Sequence, residues 1–572
     1  MDNKSIIKLL KTTAQLMELH GENEFKIKSY NNAIFNLERE SIQLSNLSLE
    51  ELEKIDGVGK SIAAAIDEIN LEGHLAILEK YLSETPEGIL DLLSLKGIGA
   101  KKIHLIWKDL NIQNSAELLK AIDSGELAKL KGFGDKTLKN LKEAILFRNS
   151  HQGKLLYAQA EKVAEGLIKK IQDEFKDVLI STSGELRRKV EVIEEILLLC
   201  APTDEGKVRA FLDNDEALTT EEDKSSPFNW RGILSQENTA VRVRFTTKED
   251  FQKQLFLTTS TPAHIHTPVK EDKSLSDLIK STAIASEEDI YKLADLPYIA
   301  PELREGQFEL TLAAENKLPK LIEMSDLKGI LHNHSTYSDG KHSLKEMADY
   351  CQELGYEYLG ITDHSKSSFY YANGLYEKRV KEQQAEIDEL NKNYKNFKIF
   401  KGIECDILPD GSLDYDTEVL ASFDFIVASI HSVLNMDTQK ATERVLRAVE
   451  NPFTTILGHM TGRLLLQREG YPVDHKTIID ACAKNKVVIE INANPKRLDI
   501  DWRWVHYALE QGVMLSINPD AHAKAGYHDM YYGLCVGRKG GLTKEMNLNS
   551  LSLNDLESYF TTKKEKALTQ VG

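Results

Sequence analysis

Residues 331–340 read LHNHSTYSDG, two histidines one residue apart with a carboxylate, Asp339, just beyond them. Side chains on extended backbone alternate with period two, so His332 and His334 face the same side. Neutral imidazole and carboxylate are ligands of divalent metals. Working outward, the same residue types recur where apolar, strand-like runs end: His364 in GITDHS, Glu404 after FKIFKGI, His431 after FDFIVASI and His459 after TTILG. Asp520-Ala-His522 after VMLSINP repeats the first spacing. Any one of these alone reads equally well as a satisfied polar group at a strand end. Together they read as a metal cluster.

Residues 325–572 resemble the PHP (polymerase and histidinol phosphatase) domain, whose ligand pattern is matched at His332, His334, Asp339, His364, Glu404, His431, His459, Asp520 and His522. The segments GHMTGRLL, IEINANPKRLD, NPDAH and YYGLCVGRKGGL are similar to PHP domains fused behind bacterial X-family DNA polymerases. The resemblance implies an α/β fold, a distorted barrel of about seven strand-helix units with metals at the carboxyl ends of the strands. It implies two or three divalent metals, Mn²⁺ favoured. Histidine and carboxylate without thiolate also fit Zn²⁺ or Fe²⁺. Cys405 follows Glu404 directly, and strand alternation turns it to the opposite face, into the core.

With 572 residues the chain should hold several domains. Its hydrophobic content of 41% and charged content of 28% are those of a globular protein. Five cysteines, none in a C-x-x-C pair, suit a reducing cytoplasm better than a disulfide scaffold. MDNKSIIKLLKTTAQLMELHGE reads as an amphipathic helix without the apolar core of a signal peptide, and no run approaches a membrane span. The expected location is the cytoplasm. A net charge of −18 argues against adhesion of the whole surface to nucleic acid. Between Lys96 and Arg148, however, 11 Lys or Arg stand against 6 Asp or Glu, a local +5. Such a basic face suits phosphate contact or, equally, a solvated helix surface.

An internal repeat runs through IDGVGKSIAAAI (55–66), LKGIGAKKIHLI (95–106) and LKGFGDKTLKNL (130–141). Each copy holds Gly-x-Gly and then a helical run with a lysine just inside it: Gly57, Gly59 and Lys60; Gly97, Gly99 and Lys101; Gly132, Gly134 and Lys136. The glycines let helix amino-terminal N–H groups approach a phosphate oxygen. The repeat resembles the helix-hairpin-helix motif, which grips DNA backbone without reading sequence. With NEFKIKSYNNAIFNL at 23–37, the all-α region is similar to the amino-terminal (1–80) and fingers (81–150) domains of an X-family polymerase. In that family the first domain binds gapped DNA at a 5' phosphate, and Lys26 and Lys28 lie in the matching stretch.

By the same resemblance, 151–245 corresponds to an α+β nucleotidyltransferase palm and 246–316 to a thumb. Nucleotidyl transfer requires two aspartates at i and i+2 on one strand and a third on its neighbour, holding two Mg²⁺. SGELRRKVEVIEEILLL (183–199) places Glu195 and Leu197 where the pair belongs, and TAVRVRF (239–245) places Arg242 where the third belongs. Leucine cannot ligate magnesium, so polymerase activity is expected to be lost. Asp213-Asn-Asp215 is the one nearby Asp-x-Asp, in an acidic stretch that reads as helix and loop.

The expected activity is metal-dependent phosphoester hydrolysis at DNA 3' ends, as a 3'-5' exonuclease or in end cleaning during repair. The partner is DNA, gapped or with 3' ends, bound without sequence preference. Lys366, Arg463 and Arg497 are candidates to neutralise the phosphate. Three other readings stand: an active repair polymerase with accessory exonuclease, which needs the missing carboxylates; a small-molecule phosphatase resembling histidinol phosphatase, which has no use for DNA-binding hairpins; and a pure DNA-binding or structural protein, which has no reason to retain all nine ligands.

Overall fold

A computed structural model describes residues 3–38, 42–93, 95 and 98–571. Gly97 and Lys96 of the second repeat lie outside the described residues. The chain divides into two units, Met1–Gln152 and Gly153–Gly572.

The first unit is helical. Helix α1 (Asn3–Leu19) carries Ile6, Leu10, Ala14 and Met17 at helical spacing, and this stripe is buried against α2 (Glu24–Leu37). Each described repeat opens a helix: α3 (Lys60–Glu72), α4 (Ala100–Leu110) and α5 (Asp135–His151). One apolar core runs from Ile6 to Ile145, and His104 Nδ1 lies 2.7 Å from the Leu19 carbonyl. The boundary expected at 80/81 therefore falls inside a shared core.

The second unit begins with a five-stranded sheet. Its strands are β1 (Leu179–Thr182), β2 (Glu195–Ala201), β3 (Leu218–Thr220), β4 (Asn229–Leu234) and β5 (Ala240–Phe245), in the order β1-β2-β5-β4-β3. The pair β2 and β5 is parallel, with Leu197 opposite Arg242. Residues 251–314 are mostly short helices around a separate core of Phe256, Leu275, Ile290, Tyr291 and Leu303.

Seven parallel strands follow: β6 (Gly329–Ile330), β7 (Tyr358–Ile361), β8 (Lys398–Asp406), β9 (Phe425–Ser429), β10 (Ile456–Leu457), β11 (Val488–Asn492) and β12 (Leu515–Asn518). Neighbours in this list are neighbours in the sheet, and a bridge between Asn333 and Ala521 brings the ends together into a nearly closed barrel. Period two decides what lies inside it. Tyr358, Phe400, Val427, Ile456 and Val488 form a central apolar layer with Phe425, against whose ring Phe560 of the last helix, α6 (Leu553–Val571), stacks at 4.8 Å. Two residues further along β7 and β8 come Gly360 and Gly402, where a Cβ would stand 2.6 and 2.5 Å from the Phe425 ring. Two further along β8 comes Glu404, and two past Val488 on β11 comes Glu490, so the polar layer begins where the apolar one ends. Cys405 belongs to the outer core against the helices, and all five cysteines are buried and free.

The sheet and the barrel are tied by polar contacts. Glu191 accepts from Trp502 Nε1 at 2.8 Å and from Arg503 at 2.7 Å, and the buried Lys539 donates to the Arg188 carbonyl at 3.0 Å.

Candidate metal centre

The structure brings all nine histidines and carboxylates to the carboxyl ends of the barrel strands, with Glu404 in the middle. One Glu404 oxygen, Oε1, lies 2.8 Å from His459 Nε2, 3.1 Å from His431 Nε2 and 3.4 Å from His332 Nε2. Its other oxygen lies 3.0 Å from His364 Nδ1 and 3.6 Å from His334 Nε2. Asp520 Oδ1 stands 3.0 Å from His334 Nε2, and Asp339 stands 3.3 Å from His522 Nε2 and 3.6 Å from His364 Nε2. Three overlapping sets have ligand atoms within 4.8 Å of one another: His334, Asp339, His364 and His522; His332, His334 and Glu404; His364, Glu404 and His431.

Whether these residues fit cations is tested by their unmatched atoms. Buried polar groups are almost always hydrogen-bonded. Here His332 Nε2, His334 Nδ1, His364 Nδ1, His459 Nδ1 and Glu404 Oε2 are buried without a hydrogen-bond partner. His364 Nδ1 and Glu404 Oε2 approach to 3.0 Å and still do not bond. Buried nitrogen and oxygen atoms left unmatched in this way suit a cation, and the residues fit a cluster of two or three divalent ions.

The electrostatics agree. Burial and the nearby His364 and His522 hold His334 down to about 3, a neutral imidazole. Burial works against charge on Glu404, but His431, His332 and His364 outweigh it and keep the carboxyl well below its usual range. Burial likewise opposes charge on His431, where Glu404 and Asp406 win and raise it to about 10. The proton on His431 stands in for the positive charge that a cation would bring.

Two residues that position the ligands, Glu490 and Asp406, are not singled out from the sequence. Glu490 is buried on β11, 2.7 Å from His332 Nδ1, and also accepts from the His459 amide at 2.7 Å. This hydrogen bond puts the His332 proton on Nδ1 and leaves Nε2 free as a ligand. Asp406 does the same for His431, 2.8 Å from Nδ1. Asp363 accepts from the Ser335 and Ser338 amides at 2.8 and 3.1 Å and so holds the loop that carries Asp339. The signal was present: Glu490 in IEIN and Asp406 in ECD are acids inside apolar strands, on the same face as Glu404 or its counterpart.

The three candidate cations diverge. Arg497 Nε lies 3.6 Å from Asp520 Oδ2, at the edge of the cluster. Arg463 does not present its guanidinium to the centre: it donates to the Arg497 carbonyl at 2.9 Å, to Asp501 at 2.6 Å and to the Leu498 carbonyl. A guanidinium saturated this way anchors the 497–501 segment. Lys366 is paired with Glu377 at 2.9 Å over the Tyr415 ring.

The palm-like sheet contrasts with this. Glu195 is clasped by Arg242 at 2.6 Å and Arg231 at 3.1 Å, and Leu197 is buried beside Gly184. Asp213 ends a helix and accepts from Trp230 Nε1 at 2.8 Å, while Asp215 pairs with Lys170 at 2.6 Å. Neither aspartate lies on a strand.

In the helical unit, Gly59, Gly99 and Gly134 cap α3, α4 and α5, and Gly57 and Gly132 have φ of +77° and +96°. Val58, Ile98 and Phe133, each between the two glycines of its copy, are buried and pin the turn. Lys60, Lys101 and Lys136 are exposed, with Lys101 3.6 Å from Glu24. No helix among the described residues is long and apolar enough to cross a membrane.

Comparison with known proteins agrees with this layout. A helix-hairpin-helix domain family matches residues 1–75, a SAM-like helix-hairpin-helix tandem matches 89–145 and the PHP domain matches 331–494. The DNA polymerase/3'-5' exonuclease PolX of Bacillus subtilis (strain 168) is 35% identical over 98% of this chain and 99% of its own length. Probable phosphatases of Thermoanaerobacter sp. (strain X514) and Acetivibrio thermocellus are 25% and 26% identical over 41% of this chain and 95% of their own lengths.

Proposed function

Because the chain belongs to the family of bacterial X-family DNA polymerases with a carboxyl-terminal PHP domain, we propose that it hydrolyses phosphoesters at DNA 3' ends through the barrel and no longer extends DNA through the palm. Its helix-hairpin-helix domains indicate DNA binding, and the phosphatase relatives of the barrel support hydrolysis. The observation that carries the proposal is the pairing of opposites: unmatched imidazole and carboxylate atoms around Glu404, and a carboxylate already neutralised by two arginines at Glu195.

Bound divalent cations, Mn²⁺ first among them, supply neutralisation of the phosphate and activation of water. The chain's own residues do the rest. Glu404 lies between imidazoles on both sides and would be shared by the ligand sets that hold the cations, its charge offsetting theirs. Glu490 and Asp406 orient His332 and His431. Arg497, beside Asp520, stands where it can hold that ligand or meet a phosphate oxygen. The exposed lysines at the three glycine turns suit backbone contact with gapped or 3'-ended DNA.

The test is end-labelled DNA with Mn²⁺, run beside dNTPs on a primed template and a small phosphomonoester. Shortening from the 3' end with no primer extension is the expected result. Extension by the wild-type protein overturns the palm reading, and phosphomonoester hydrolysis without DNA shortening overturns the substrate.

A further inference from the structure

The loop that follows ligand His364 is closed at its foot and aromatic at its tip. Leu375 N donates to the His364 carbonyl at 2.8 Å, and Ser365 bridges Leu375. The closure needs Gly374, where a Cβ would stand 1.9 Å from the Ser365 carbonyl. The loop is also tied to two other parts of the centre. Ser365 and Ser368 donate to Asp406, the partner of His431, and Asn373 donates to the Tyr337 and Ser338 carbonyls at 3.3 Å, next to Asp339.

On this fixed base stand Phe369, Tyr370, Tyr371 and Tyr376. Tyr370 is 94% exposed and Tyr371 59%. Phe369 braces the ridge, 5.6 Å from the Tyr370 ring and 5.2 Å from the Tyr376 ring. Tyr371 is oriented by a 2.7 Å hydrogen bond between its hydroxyl and Ser368. Large rings left in water cost free energy, and here they are held by the same residues that hold the ligands.

We propose that Tyr370 and Tyr371 form a shelf on which unpaired bases at the 3' end of a DNA strand stack, placing the terminal phosphodiester at the Glu404 centre. This rests on the phosphoesterase reading and assigns to these two side chains the seating of the terminus. Every base has a π-face, so stacking holds any sequence, as backbone-gripping turns elsewhere in the chain require of the site. A rim of exposed tyrosines, with Tyr371 tied through Ser368 to the ligand-orienting carboxylate Asp406, suits an occupant that carries both rings and phosphates.

The experiment uses full-length protein and a labelled single-stranded oligonucleotide ending either in normal nucleotides or in two abasic residues. Binding is measured by anisotropy in EDTA, and shortening is measured in Mn²⁺. Wild type should prefer the base-bearing end by about tenfold. The pair Tyr370→Ala with Tyr371→Ala should lose that preference while binding the abasic end unchanged, and Tyr371→Phe, which keeps the ring, should retain it. A preference that survives in the double alanine variant, or is absent from wild type, overturns the shelf. Binding with the preference but without shortening leaves the shelf standing and removes the phosphoesterase reading.

Discussion

Glu195 on β2 and Glu404 on β8 are both positions where a metal ligand is expected from the sequence, and their surroundings are opposite. Arg231 and Arg242 neutralise Glu195. Guanidinium is always charged, so that pair is closed to cations. Glu404 is met by five imidazoles within 3.6 Å. Imidazole can give up its proton and offer a lone pair instead. The charge balance around a carboxylate therefore decides whether it ligates a metal or braces a fold.

The comparison breaks first at Glu404. Glu404→Gln should lower the hydrolysis rate by about a thousandfold and reduce bound Mn²⁺, read by metal analysis beside the nuclease assay. Full metal content with full activity would refute the barrel half of the contrast.

On the structural side, Glu287 is held by Arg187 and the buried Arg304. Burial opposes its charge, but the two arginines outweigh it and bring the carboxyl down to about 2 from 4.5. A depressed carboxyl stabilises the fold above pH 4.5, and that stability fades as pH falls toward 2. The contribution is roughly 2 to 3 kcal/mol, and Glu287→Gln should flatten the acid limb in denaturant titrations. An unchanged acid limb would mean the arginines do not hold it.

Glu490→Gln comes next. It removes the acceptor that fixes His332, and metal affinity should drop by about 10- to 100-fold, measured by competition with a chelator, while the fold survives. The smallest effect belongs to Glu195. Glu195→Ala should leave hydrolysis within about twofold and lower stability by about 1 kcal/mol, since the ion pairs are partly open to solvent. A large loss of nuclease activity would show that the sheet does more than brace.

The gathering of these histidines and carboxylates was legible in the chain because all but Asp339 follow apolar runs, and strand periodicity announces their face. The helix-hairpin-helix turns were legible for a related reason: Gly-Val-Gly, Gly-Ile-Gly and Gly-Phe-Gly each join a buried anchor to a helix start. The resemblance to X-family polymerases placed Leu197 on the strand expected to carry an aspartate, and Leu197 lies on β2. Arg463 was misread because GHMTGRLL gives no sign of the 497–501 segment that occupies its guanidinium.

The sequence by itself determined which residues could ligate, on which face of which strand, and where the helical hairpins turn, because those follow from period and local conformation. Tertiary structure alone decided which partner each side chain meets: Glu490 under His332, Asp406 under His431, the arginines over Glu195 and the aromatic loop beside Asp406. These contacts join residues far apart in the chain, and only the packed barrel and sheet bring them within hydrogen-bond range.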